Sequence, residues 1–99
     1  MIIYEIKLEL IDKTIYSSFL LWLTYHIKEM LEHKGFLKSE IDNSFKKNST
    51  ITVKYFIESK EDLDSYIENY SEKMRNDAVR KFKRSFKATR KIYPHNPLS

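Results

Sequence analysis

The 99-residue sequence predicts a single α+β domain, a two-layer sandwich with one four-stranded antiparallel sheet and its helices on one face. Two patterns carry this prediction. Short stretches rich in β-branched and aromatic residues alternate apolar with polar, and longer stretches repeat apolar residues every three or four positions. Their order along the chain is β-α-β-β-α-β.

Residues 2–11 place Ile2, Tyr4, Ile6, Leu8 and Leu10 on one side and Glu5, Lys7 and Glu9 on the other, the pattern of a half-buried strand. Asp12 or Thr14 can cap the helix that follows. Over residues 14–33 the stripe Ile15, Phe19, Trp22, Leu23, His26, Ile27 and Met30 predicts an amphipathic helix. Gly35, the one glycine, fits a left-handed C-cap after it. Residues 36–45 are expected to form a second strand with Leu37, Ser39, Ile41, Asn43 and Phe45 on one side, and Lys46 to Ser49 a polar turn. Residues 50–58 form the third strand, with Ile51, Val53, Tyr55 and Ile57 facing inward. Ser59 can cap a second helix with acids in its first turn, where the helix dipole favours them. Its stripe of Leu63, Tyr66, Ile67, Tyr70, Met74, Ala78 and Phe82 runs to about residue 83, with a break expected near Ser71. Residues 85–93 alternate again, with Phe86, Ala88, Arg90 and Ile92 on the inward side.

Right-handed crossovers in both β-α-β halves lead from this order to the ferredoxin-like sheet. The expected domain spans residues 1–93, and residues 94–99, with Pro94 and Pro97, make a short irregular tail.

With 41% hydrophobic and 14% aromatic residues the chain can bury a core. It has no cysteine, which excludes disulfides, a thiol nucleophile and cysteine-based metal sites. The N-terminus meets charge at once and lacks a secretory h-region, and the longest apolar run, Phe19 to Leu23, is too short to cross a bilayer. The protein is therefore expected to be cytoplasmic, with no membrane association.

The charge is uneven. Residues 1–72 hold nine Lys/Arg against thirteen Asp/Glu, a net of −4, and residues 73–99 hold nine against the single Asp77, a net of +8. Such a field attracts anions, or is a solvated face that balances the acidic first part. Arg80, Lys81, Lys83, Arg84, Lys87 and Lys91 are the candidates for nucleic-acid binding.

The sheet face away from the helices is expected to carry Ile3, Glu5, Lys7 and Glu9, then Thr52, Lys54, Phe56 and Glu58, flanked by Lys38, Glu40, Lys87, Thr89 and Lys91. Glu5 and Glu9 repel phosphate and no aromatic-rich RNA signature is present, which argues against base stacking on this face. Two such faces can pack into a dimeric barrel, the Glu/Lys mixture permitting ion pairs across it.

Five residues are candidates for a ligand site. His26 interrupts an apolar stripe one turn after Trp22, as a core histidine, a general base or an axial ligand. Tyr55 faces inward, for packing or to line a pocket. Arg90 falls at an inward strand position, and Arg75 borders the second helix's stripe. An inward arginine must reach solvent, pair with an acid such as Asp77, or meet an anionic ligand. His33, seven residues beyond His26, is too weak a partner for a metal site, and none is expected. The sequence has no phosphate loop, nucleophile elbow or zinc-protease motif. No residue pattern implies a particular cofactor or reaction.

These residues resemble a bacterial family of single-domain proteins known only as a domain of unknown function. The likeness covers nearly the whole chain. It rests on Met1-Ile2-Ile3-Tyr4-Glu5, on Trp22-Leu23, His26-Ile27 and Met30-Leu31 leading to Gly35-Phe36, on Tyr55-Phe56 and Glu58-Ser59 with Tyr66, and on Met74-Arg75 with Phe82, Phe86 and Arg90. The chain departs from the family at Lys28, where proline is frequent, and at Lys83-Arg84, where a glycine is frequent, so the basic strip is expected to be particular to this member. The resemblance implies a ferredoxin-like fold of the dimeric α/β-barrel type and no assigned activity. Wider fold relatives include cofactor-free monooxygenases, haem-degrading enzymes and small isomerases, an analogy of fold alone.

The leading expectation is a small-ligand-binding or regulatory homodimer. Its pocket would lie between the first helix and the sheet near Trp22, His26 and Tyr55, with Arg75 or Arg90 meeting an anionic small molecule. A monooxygenase- or isomerase-like enzyme using His26 or a tyrosine, and nucleic-acid binding through the basic strip, are the alternatives.

Overall fold

The computed structural model describes residues 1–42 and 49–95. They form β1 (Ile2–Leu10), a 3-10 turn (Lys13–Ile15), α1 (Tyr16–Met30), β2 (Phe36–Asp42), β3 (Thr50–Ile57), α2 (Lys60–Asn69), α3 (Ser71–Phe82) and β4 (Phe86–Pro94). The strands lie in the order β2-β3-β1-β4, and every neighbouring pair is antiparallel. This is the ferredoxin-like sheet, with α1 and α3 packed side by side on one face of it.

The core follows the sequence periodicities. Tyr4, Leu8 and Leu10 of β1 and Ile51, Val53, Tyr55 and Ile57 of β3 are buried against Phe19, Leu23, Ile27 and Met30 of α1 and Leu63, Tyr66, Met74 and Phe82 of the other helices. Phe19 anchors one end, its ring 4.8 Å from Phe82 and 5.2 Å from Phe86, centroid to centroid.

Local chemistry sets the element ends. The Asp12 carboxylate accepts from the Thr14 N–H and caps a 3-10 turn before α1 begins. Ser59, in extended conformation, accepts from the Asp62 N–H and caps α2. The second helical stretch divides at Tyr70, whose φ of −131° leaves the helical range, and the Ser71 hydroxyl donates to the Ile67 carbonyl across the bend.

Three expectations are corrected. Gly35 has the positive φ expected of it, +85°, but it does not cap α1, which ends at Met30. It stands third in the turn His33–Phe36, closed by the Phe36 N–H donating to the His33 carbonyl, where a type II turn takes φ > 0. A Cβ there would run into the Asp62 side chain. In β2 a bulge between Phe36 and Lys38 turns Phe36 into the core and leaves Leu37 52% exposed, the reverse of the simple alternation. Asn43, Phe45 and the turn residues 46–48 lie outside the described residues, as do 96–99. Finally, β4 includes Pro94, which pairs with Ile2, and the His95 N–H donates to the Met1 carbonyl.

The face away from the helices is not uniformly polar. Ile3 and Phe56, paired across β1 and β3, are each only 5% exposed. Lys38 lies over the Phe56 ring, His95 meets its edge, and Tyr93 flanks Ile3. The Tyr93 hydroxyl donates to Glu5 at 2.7 Å, and burial together with that bond pushes its pKa up to about 12. A Tyr93→Phe variant should lose about 1 kcal/mol of unfolding free energy, the net worth of one such bond. Equilibrium urea unfolding measures it, and an unchanged midpoint would mean that the bond contributes nothing.

Candidate functional site

A cavity of about 250 Å³ opens between α1, α3 and the helix-facing side of the sheet. Trp22, His26, Tyr55, Arg75 and Arg90 all line it, together with Ile6, Leu8, Val53, Met74, Ala78, Phe86 and Ala88. Each candidate reaches it for a different structural reason. Trp22 and His26 are one turn apart on α1, their rings stacked 4.7 Å apart and 17° from parallel. Tyr55 comes from the central strand β3 and is 1% exposed, so it belongs both to the core and to the cavity floor. Arg90 pairs with Ile6 across β1 and β4, which puts it on the helix-facing side as its alternation requires. Arg75 comes from the first half of α3.

The lining residues left exposed are Arg75, Val79, Lys83 and Arg90, so the mouth opens between α3 and β4. Arg75, Val79 and Lys83 recur at four-residue steps, one ridge along α3 and its end. Asp77, the acid expected as a partner for arginine, instead pairs with Lys73 at 3.5 Å. Among the described residues, no carboxylate lines the cavity and no ion pair engages Arg75, Lys83 or Arg90. An apolar chamber with three cations at its mouth is electrostatically suited to an organic anion.

Burial pushes the His26 imidazole down from its ordinary 6.5 to about 4; Asp77 opposes the shift and the Arg90 charge adds to it. His26 is therefore neutral at pH 7, able both to accept and to donate one hydrogen bond. Burial also raises the Tyr55 and Tyr66 phenols well above their ordinary range, so both remain protonated donors. His33 does not join this site. Its ring sits 4.6 Å from Tyr70 and 5.1 Å from Tyr66, outside the cavity lining. Among the described residues no three His, Asp or Glu side chains converge as metal ligands, and no helix is long and apolar enough to cross a membrane.

The basic residues of the C-terminal strip are divided by the fold. Arg80, Lys81, Lys83 and Arg84 sit at the end of α3 and in the turn after it. Lys87 and Lys91 pair with Glu9 and Glu5 on the opposite face of the sheet. A single nucleic-acid backbone cannot run along both sets without passing around the sheet edge. Composition alone groups Lys83 with that strip. Its place at the cavity is marked only by its four-residue step from Val79.

Fold and cavity together define a ferredoxin-like α+β protein with a chamber between helices and sheet. The chain belongs to the family described as "Domain of unknown function (DUF4286)", whose model matches residues 1–94. No curated protein matches it. Among solved structures it is similar to a dimeric ferredoxin-like protein from an uncultured marine organism, with 15% identity and a TM-score of 0.74 over 96% of this chain and 94% of that one. It is also similar to SnoaB, a cofactor-independent oxygenase from Streptomyces nogalater, with 6% identity and a TM-score of 0.66 over 96% and 92% of the two chains. A de novo designed protein matches nearly as well, with 8% identity and a TM-score of 0.65 over 96% and 98%. Likeness of this degree reaches a natural oxygenase and a designed chain alike, so it speaks for the fold alone.

Proposed function

We propose that the protein is a small-ligand-binding homodimer whose cavity takes an organic anion with a flat apolar body. One observation carries the reading: Arg75, Lys83 and Arg90, without described ion-pair partners, surround the mouth of an apolar chamber walled by Trp22 and His26. The apolar body would lie against the Trp22 side and the anionic end would meet the guanidinium groups, which suit planar, bidentate recognition. The dimer is supported by the dimeric ferredoxin-like neighbour and by charge. β2 carries Glu40 and Asp42 on the open sheet face, and β4 carries Lys87 and Lys91. A twofold axis parallel to the strands lays β2 of one copy over β4 of the other, acid against base.

Native mass spectrometry of gently purified, untagged protein reads both parts, as subunit number and as retained mass. Calorimetric titration with 2-naphthalenesulfonate and its neutral sulfonamide then tests the ligand class. Binding of the sulfonate at least several-fold tighter than the sulfonamide is the expected result. Equal affinities, or none, would overturn the anion site, and a monomer at micromolar concentration would overturn the dimer.

A second reading has one observation in its favour: His26 borders a cavity rather than being sealed in packed side chains. An enzyme of the oxygenase or isomerase kind could use it as a base. A pKa near 4 makes it a weak proton acceptor, however, and general-base catalysis is most effective with a pKa near the working pH. The same feature suits a hydrogen-bonding wall of a binding site, which is why ligand binding is preferred.

A further inference from the structure

The turn that joins α3 to β4 holds a lysine in a backbone conformation that glycine would adopt more easily. Lys83 has φ 55° and ψ −126°. It is the only non-glycine residue with positive φ among the described residues. Its values are those of the second residue of a type II′ turn, the position glycine dominates. The turn Phe82–Ser85 is closed by the Ser85 N–H donating to the Phe82 carbonyl at 3.1 Å. In an L-residue, positive φ drives the Cβ against backbone oxygen, so the side chain itself makes this position unfavourable.

The surroundings hold Lys83 there. Its N–H donates to the Val79 carbonyl at 2.7 Å and ends α3. Two residues on, the Ser85 carbonyl accepts from the Ile11 and Asp12 N–H groups and pins the turn to the end of β1. This reversal brings Phe86 and Ala88 under the cavity while Lys83 lines its mouth. A glycine would make the same turn without the strain, but it would leave the mouth with two cations rather than three. At Gly35, where the turn also needs positive φ and a Cβ would meet Asp62, the chain does use glycine.

We propose that Lys83 is a specificity-determining residue of the cavity, retained in a strained turn because its ammonium group selects the anionic end of the ligand. This rests on the anion-binding reading of the cavity. Arg75 and Arg90 supply planar forks from α3 and β4. Lys83 adds a mobile point charge at the end of the α3 ridge, able to follow an anion that the forks hold.

The test separates backbone from charge. Lys83→Gly removes both strain and charge; Lys83→Gln removes the charge and keeps a Cβ; Lys83→Arg keeps the positive charge and the Cβ. Thermal unfolding and calorimetric titration with 2-naphthalenesulfonate and 2-naphthalenesulfonamide are measured on each full-length variant. Lys83→Gly should raise Tm by about 4–8 °C, the relief of strain outweighing glycine's greater unfolded-state freedom. Both Lys83→Gly and Lys83→Gln should weaken sulfonate binding about fivefold and leave sulfonamide binding unchanged. Lys83→Arg should bind the sulfonate like the wild type. If the wild type binds the sulfonate and both variants bind it equally well, Lys83 is not a ligand residue and this proposal fails while the site stands. If the wild type does not bind it at all, the cavity reading fails and takes this proposal with it. A fall in Tm for Lys83→Gly would show that the lysine is there for the fold, which also overturns the proposal.

Discussion

Replacing Arg75 and Arg90 together with alanine should weaken 2-naphthalenesulfonate binding by about 10- to 100-fold and change unfolding stability by less than about 1 kcal/mol. The two effects separate because both guanidinium groups are exposed and neither has an ion pair with a described residue. Their removal leaves no buried charge without its partner, which is the usual cause of a large stability loss on breaking an ion pair. Each single variant should lose less than half of the double variant's fold-change, because either fork can still hold one anion while the other is absent. Arg90→Ala carries a second readout. The Arg90 charge helps to hold down the His26 pKa, so its removal should move the imidazole titration upward in an NMR pH series. Arg90→Lys should bind more weakly than wild type despite keeping the charge, since a lysine cannot offer a planar fork. Sulfonate affinity in the double variant equal to wild type would place the anion elsewhere.

Most of the fold is legible in the sequence because one face of each element is buried and the other is not. The alternation from Ile2 to Leu10 sets β1, and the same logic correctly places Arg90 on the helix-facing side of β4. The strand periodicity could not show the bulge at Leu37. A one-residue slip reverses faces, and nothing in the local sequence announces it. The role of Gly35 was half legible: its conformational freedom was evident, but whether that freedom ends a helix or makes a separate turn depends on where β3 and α2 pack. The burial of Ile3 and Phe56 on the open face depends on Lys38 arriving from β2 and on Tyr93 and His95 from the end of β4, a tertiary effect.

The cavity was legible through its polar exceptions. His26 within an apolar stripe and Arg90 at an inward position are anomalies of pattern, and the fold brings both to one chamber with Trp22, Tyr55 and Arg75. Lys83 carried no such mark. In a strip of lysines and arginines one more cation is unremarkable, and its backbone strain has no counterpart in periodicity. Strip residues that look continuous along the chain end on opposite sides of the sheet, because Lys87 and Lys91 alternate with Arg90 along β4 and point to the face away from α3. Composition therefore overstated the case for a single basic surface.

Acid should weaken the fold and strengthen the site, with His26 responsible for both. In the unfolded chain the imidazole takes up a proton near its ordinary 6.5, whereas in the folded protein it does so only near 4. A depressed histidine pKa gives stability that is fully present above pH 6.5 and is lost as pH falls toward 4, where it levels off. With allowance for the partial exposure of the ring, the loss is on the order of 2 kcal/mol. Urea midpoints measured between pH 7 and 4 should show it, and His26→Phe, which keeps a ring against Trp22, should remove this part of the slope. A bound sulfonate reverses the balance at the same ring. Its charge offsets the nearby Arg90, Arg75 and Lys83, adds to the pull of Asp77 and raises the His26 pKa in the complex. Binding then takes up a proton, and affinity for 2-naphthalenesulfonate, which stays ionised throughout, should rise about tenfold between pH 7 and pH 4. The His26→Phe variant should bind with little pH dependence. Wild-type affinity that stays flat over that range would mean that the anion lies beyond electrostatic reach of His26, and the chamber would have to be filled from its mouth alone.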